Sequence, residues 1–256
     1  MPKKPTPIEL LFLGSGNAFA PGRAYGSFLV DGRILFEATP TTLPFLREMG
    51  KPLEEIQFIF ISHFHGDHFF GLPFIFLDHY FIVKREKPLM IIGPKGLKKL
   101  THTLIDLAFP DTRKRYARNF PVEFLEVSPG KEYTLRGITF KALKMSHGKI
   151  PSLGFSLAYK HKRLAYCGDT GPCPALTELL HDANIAVIEM TSIDDHYPYH
   201  LNQKNILEIR RQLPSKTPLI LTHLPDLNRR QTKALTQNPY GVLLPARDKQ
   251  RYQFDL

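Results

Sequence analysis

Short apolar runs closed by glycine, proline or polar turns recur along the chain, and their lengths separate strands from helices. Ile8–Leu13 reads as a buried strand running into Gly14-Ser15-Gly16. Ser27–Val30 and Arg33–Phe36 flank Asp31-Gly32, a dipeptide suited to the positive φ angles of a type I′ hairpin. Thr39-Pro40 has the form of an N-cap followed by a first-turn proline, and Gly50 that of a C-terminal stop, which predicts a helix reaching Met49. Gln57–Ser62 and Leu89–Ile92 read as strands, Gly71–Phe81 and Leu97–Ala108 as helices. Strands are then expected at Glu123–Val127, Tyr133–Leu135, Ile138–Met145, Gly154–Tyr159, Arg163–Gly168, Ile185–Glu189 and Leu219–Thr222. Pro174–Ala183 reads as a helix, and Asn202 caps another that runs to Leu213. The alternation specifies a layered α/β fold, and the length suits one domain over residues 1–256.

Two groups of residues, converging on one pocket, stand out against this pattern. The run His63-Phe64-His65-Gly66-Asp67-His68 places three imidazoles and a carboxylate directly after a strand, a density of donors that suits transition metals. Residues two apart in an extended chain point the same way, so His63 and His65 can reach one ion while Asp67 and His68, past Gly66, face a neighbouring one. His147, Asp169 and His223 each follow the carboxyl end of a predicted strand, where layered α/β folds gather their ligand sites. His79, His102, His161, His181 and His196 lack this placement and read as structural or surface groups. Gly14-x-Gly16 is no dinucleotide site, because the third glycine is missing and Pro21-Gly22 stand where a helix would begin.

Composition narrows the setting. No stretch approaches the ~18 apolar residues of a membrane span, and no apolar segment long enough for a signal-peptide core follows the charged Met1–Pro7, so a soluble, cytoplasmic protein with no membrane partner is expected. Cys167 and Cys173, the two cysteines of the chain, read as reduced packing residues. A formal charge of +10 suits a polyanionic substrate. Part of that charge runs from Lys84 through Arg85, Lys87, Lys95, Lys98 and Lys99 to Arg113, Lys114, Arg115 and Arg118, with Tyr116 and Phe120 interleaved. Such a run is either a nucleic-acid surface with stacking partners or an ordinary solvated face.

Taken in order, His63-x-His65-x-Asp67-His68, His147, Gly168-Asp169-Thr170 and Thr222-His223 resemble the metallo-β-lactamase superfamily. Its ribonuclease Z and phosphodiesterase branch is similar in further stretches: Leu13 to Ala18, His147 to Phe155, and Glu189-Met190-Thr191 followed by His200-Leu201-Asn202. The resemblance implies a four-layer αββα sandwich with two divalent metal ions, zinc foremost, with manganese or iron as alternatives. It assigns His63, His65 and His147 to one metal, Asp67, His68 and His223 to the other, and Asp169 as the bridge. Two dications offset by Asp67, Asp169 and a hydroxide leave about one positive charge for an anionic substrate. A phosphodiesterase or nuclease is therefore expected, with metal-bound hydroxide as nucleophile, Asp67 orienting it, and His200, held by Glu189, as general acid. The substrate would be an RNA end or a small or cyclic phosphodiester, with a homodimer as a common assembly in that branch. A thioester, lactone or β-lactam hydrolase on the same scaffold is the alternative. Glu37-Ala38-Thr39-Pro40 stands where ribonuclease Z carries an Asp-Cys-Gly run, and no long Gly/Pro-rich arm is present.

Overall fold

The computed structural model describes residues 7–83 and 85–255; Met1–Thr6 of the charged start, Lys84 of the basic run and Leu256 lie outside the described residues. In chain order the first half runs β1 (Ile8–Gly14), β2 (Ser27–Val30), β3 (Ile34–Phe36), α1 (Thr42–Glu48), β4 (Phe58–Phe60), α2 (Gly66–Phe69), α3 (Leu72–Phe81), β5 (Leu89–Gly93), α4 (Leu97–Ala108), α5 (Thr112–Tyr116) and β6 (Val122–Glu126). The second half runs β7 (Glu132–Leu135), β8 (Ile138–Met145), β9 (Ser152–Tyr159), β10 (Lys162–Tyr166), α6 (Pro174–His181), β11 (Ile185–Glu189), α7 (Gln203–Gln212), β12 (Leu219–Thr222), α8 (Arg229–Thr236), β13 (Leu243–Pro245) and β14 (Arg251–Phe254). Among the described residues the strands form two seven-stranded sheets, ordered β14-β1-β2-β3-β4-β5-β6 and β13-β12-β11-β10-β9-β8-β7.

Strand periodicity explains the layering. On β1, Ile8, Leu10 and Phe12 enter the core between the sheets, whereas Leu11 and Leu13 pack outward beneath the helices of the first half. On β11, Ile185 and Val187 face inward while Ala186 and Ile188 meet the helices of the second half. A strand buried on both faces reads as a continuous apolar run, which is why these segments show no polar alternation. Helices thus cover both outer faces, giving the αββα order. Between the sheets Phe12, Phe28, Phe36 and Phe60 form a ladder with ring centroids 5.2, 4.7 and 5.0 Å apart, closed by Phe155 and Phe140. Such offset stacks add to the burial of each ring.

Strand direction decides where loops gather. The chain runs parallel from β3 through β6 and from β10 through β13, and β8 is antiparallel to β9, which is antiparallel to β10. The carboxyl ends of β8, β10, β11 and β12 therefore share one edge of the second sheet, as those of β3, β4 and β5 share one edge of the first.

Several expectations are corrected. The helix expected from Thr39-Pro40 starts at Thr42, because the Thr39 hydroxyl bonds those of Thr41 and Thr42 and holds the chain outside the helix for two more residues. Gly50 does take a positive φ of 60°. The residues past His65 are not a simple turn but the one-turn helix α2. Phe120 cannot serve as a stacking partner, since it is buried against Phe76 and His79. Within the basic run the Arg85 guanidinium is spent on the carbonyls of Leu53, Ile56 and Lys87, and Arg113 pairs with Asp106; Lys95, Lys98 and Lys99 stay exposed. Both cysteines are free. Among the described residues no helix is long and apolar enough to cross a membrane.

His79 stacks on Phe120 at 4.3 Å, and burial, with the nearby Arg85 charge, pushes its pKa down to about 3. Its unfolded value near 6.5 is higher, so between the two values the unfolded chain binds the extra proton. This contribution is complete above pH 6.5 and is lost at up to about 1.4 kcal/mol per pH unit as pH falls towards 3. Chelator-treated His79→Phe protein should show a shallower acid loss of unfolding free energy than the parent; parallel curves would refute this.

Candidate metal centre

β4 ends at Phe60, and the next residues turn into the gap between the sheets. Ser62 N–H points at both carboxylate oxygens of Glu37 (3.2 Å each), and the Ser62 hydroxyl sits 2.9 Å from His63 Nδ1, leaving His63 Nε2 free to face Asp169 Oδ2 at 3.7 Å. His65 caps α2, whose single turn carries Asp67 and His68. From the second sheet, His147 follows β8, Asp169 follows β10 and His223 follows β12. Two of these strand ends bend sharply. Gly168 takes φ 59°, and a Cβ there would lie 2.6 Å from Ser62 Cβ; His223 holds φ 53°, a conformation costly for a residue with a Cβ.

The structure brings all nine sequence-predicted residues, His63, His65, Asp67, His68, His147, Asp169, Glu189, His200 and His223, to this one edge. His63, His65, His147 and Asp169 each offer a donor atom within 4.8 Å of the others, and so do Asp67, His68 and His223. Asp169 Oδ2 is the hub: it lies 3.7 Å from His63, 3.4 Å from His68, 3.5 Å from His223 and 3.9 Å from His200. His147 Nε2 and His65 Nδ1 approach to 3.3 Å, and His223 Nε2 and Asp67 Oδ2 to 3.2 Å. His65 is exposed, so this side opens to solvent.

Hydrogen bonds fix which ring nitrogens are free. His147 Nδ1 faces the Tyr199 carbonyl at 3.2 Å; a carbonyl only accepts, so Nδ1 carries the proton and Nε2 is a donor atom for a metal. Thr191 supplies a second such argument. Its hydroxyl donates to Glu189 Oε2 at 2.6 Å, so it accepts from His223 Nδ1 at 2.8 Å and leaves His223 Nε2 facing Asp67 and Asp169. Glu189 Oε1 takes His200 Nδ1 at 2.8 Å and Thr170 N–H at 2.9 Å.

The electrostatics match ligands awaiting a cation. Burial, aided by the neighbouring His68, lowers His63; burial and His147 lower His65; both rings are thus held in the neutral form that coordinates. Burial works against the charge of Asp67, but the hydrogen bond from His223 and the nearby His68 ring outweigh it and keep the carboxyl well below its ordinary range. Asp169 behaves likewise, with His223 and His68 overcoming burial. His68 is raised because Asp169, Asp67 and Glu37 outweigh its desolvation. Burial also opposes a charge on His200, yet Glu189 raises it above the ordinary histidine value.

A metal fits this donor set on one further observation. Among the described residues, His63 Nε2 and both nitrogens of His68 are buried without a hydrogen-bond partner. Unpaired buried polar atoms cost about 1–3 kcal/mol each, and His63 Nε2 and His68 Nε2, which both face Asp169, are placed for coordination, while His68 Nδ1 faces Glu37.

Glu37 and Thr191 do more here than their sequence context suggested. Glu37 lies 3.6 Å from His68 Nδ1, accepts from Tyr166 at 2.9 Å and holds φ 64° at the end of β3. The segment that departs from the Asp-Cys-Gly run thus still delivers a carboxylate to this histidine. Its position just past a strand end, like Asp169, was the available signal. Thr191 is silent in sequence because its three partners are separated from each other along the chain.

A family model described as a beta-lactamase superfamily domain matches residues 32–224. The ribonuclease Z of Staphylococcus carnosus (strain TM300) is 26% identical over 277 residues, covering 83% of this chain and 87% of that protein. Among solved structures, the short form of human tRNase Z superposes with TM-score 0.75 at 23% identity, covering 95% of this chain and 98% of that one. A diphosphatase of the PhnP family does so with TM-score 0.75 at 22% identity, covering 96% and 98%.

Proposed function

The chain belongs to the metallo-β-lactamase superfamily, and on that footing we propose that it is a ribonuclease Z-like, metal-dependent phosphodiesterase. The observation that carries this reading is Asp169 Oδ2, set within 4 Å of four imidazoles drawn from both halves of the chain. His63, His65, His147 and Asp169 would hold one divalent cation, and Asp67, His68, His223 and Asp169 the second. The imidazole-rich donor set favours zinc, with manganese or iron as alternatives. When bound, such a pair supplies Lewis-acid charge to a phosphoryl group and makes water acidic enough to attack near neutral pH.

The protein's own groups do the rest. Asp67, kept ionised by His223 and His68, accepts a hydrogen bond from the attacking water and orients it. His200 donates a proton to the departing alkoxide. Glu189 holds the His200 ring through Nδ1 and raises its proton affinity, so Nε2 is the atom that delivers. Thr191 ties that acid to the ligand His223 through one hydroxyl. The ribonuclease Z and tRNase Z relatives support RNA as substrate, the diphosphatase a smaller diphosphate compound. We take residues 1–256 as one hydrolase domain acting in the cytoplasm.

Metal-replete protein should cleave a bis-aryl phosphate, and a comparison of cyclic nucleotide, pre-tRNA with a 3′ trailer and a thioester ranks the substrates. Hydrolysis of the thioester alone would reject the proposal. Glu37→Ala should weaken metal affinity about 10–100-fold, as loss of an orienting carboxylate does, when titrated against a competing chelator. Unchanged affinity would show that His68 needs no such support.

A further inference from the structure

Aromatic side chains are exposed at the mouth of this site, and their setting is built rather than incidental. Phe19 is 73% exposed and stacks on Tyr197, with ring centroids 6.2 Å apart and planes 9° from parallel. Tyr197, 42% exposed, lies 6.2 Å from the His200 ring, and its carbonyl accepts the His200 N–H at 3.0 Å. Tyr197 thus stands beside the His200 ring, and Phe19 extends the same aromatic surface outward from it.

The loop that presents Phe19 is anchored from below. Asn17 is buried; its side-chain amide donates to the Thr191 carbonyl at 3.1 Å, its backbone N–H to the Leu224 carbonyl at 3.0 Å, and its side-chain oxygen accepts the Phe19 N–H at 2.9 Å. Thr191 and Leu224 adjoin the threonine hydroxyl and histidine ring of the metal edge. A large apolar ring held in water by three hydrogen bonds beside a phosphoester site calls for a flat, apolar ligand surface.

We propose that Phe19 and Tyr197 form a stacking platform for the nucleobase next to the scissile phosphate, so the substrate is a nucleotide or nucleic-acid end rather than a small alkyl diester. This rests on the phosphodiesterase reading. Every base has a π-face, so the platform confers preference for nucleosides without reading sequence. The +10 formal charge favours the same anionic, base-bearing class.

The test compares thymidine 5′-(p-nitrophenyl) phosphate with methyl p-nitrophenyl phosphate, which share a leaving group and differ in the retained alcohol, a nucleoside in one and methanol in the other. In Phe19→Ala and in Tyr197→Ala the thymidine-over-methyl ratio of kcat/KM should fall about tenfold, mainly through KM, and Phe19→Trp should restore it. An unchanged ratio overturns the platform, as does a ratio near one in the parent protein. Calorimetry gives a readout apart from turnover: thymidine 5′-monophosphate should bind the parent more tightly than inorganic phosphate does, and Phe19→Ala should erase the difference. If neither ester is cleaved, the phosphodiesterase reading fails; thymidine monophosphate binding no tighter than inorganic phosphate then overturns the platform as well.

Discussion

Asp169→Ala protein should emerge from metal loading depleted at both positions and slowed more than about a thousandfold on any phosphodiester, the several kcal/mol that metal charge contributes to a transition state. The expectation follows from the crowding of imidazoles around one oxygen atom. His63 and His68 from beyond β4 and His223 from beyond β12 converge on Asp169 Oδ2, and without it they face one another with less negative charge to balance a cation. Elemental analysis beside an activity assay measures this. A folded variant that retains two metal equivalents would end the assignment of Asp169 as the shared ligand.

His200→Ala should behave in the opposite way, keeping its metals while losing about 10²–10⁴ in rate, the usual worth of a positioned proton donor. The geometry makes the experiment decisive, because His200, Asp169 and His223 also offer donor atoms within 4.8 Å of one another. If His200 were a ligand, its removal would lower metal content. With its Nδ1 taken by Glu189, the ring is instead oriented as an acid. Glu189→Gln should leave metal content intact and cost part of the same rate, since an amide oxygen still accepts the Nδ1 proton but raises its affinity less. The loss should shrink for esters with acidic phenol leaving groups, which depart without protonation; equal loss on phenol and alkoxide leaving groups would contradict the acid role.

How far the sequence carried the reading differs from element to element. β8, β11, β12 and α4 have the bounds that their apolar runs predict, because each is packed into a core and ended by a turn or polar break. α8 was missed since Leu235 is its one buried residue; the Asn228 and Gln231 capping box was its only local signal. β14 was missed because its Arg251–Phe254 segment is a half-exposed edge whose identity comes from pairing with β1 across almost the whole chain. In the site the ligand-type residues were legible because strand-end placement and donor chemistry are both local properties. Glu37 and Thr191 were not: strand-end placement was the one signal for Glu37, and the contacts of Glu37 with His68 and Tyr166 and of Thr191 with His200 and His223 are made only by the fold.

The pairing of β14 with β1 also sets a timetable for assembly. Asp248, just before β14, accepts hydrogen bonds from the backbone of Ser15 and Ala24 and from the Ser15 hydroxyl, bracketing the loop that carries Phe19. On the ribosome, the amino-terminal half emerges with β1 as an open edge, and that loop lacks its Asp248 clamp until residue 248 is synthesised. A stalled nascent chain that already contains His223 but not residue 248 would therefore be an aggregation-prone species without a finished entrance, and competence should arrive abruptly once Arg251–Phe254 can pair with β1.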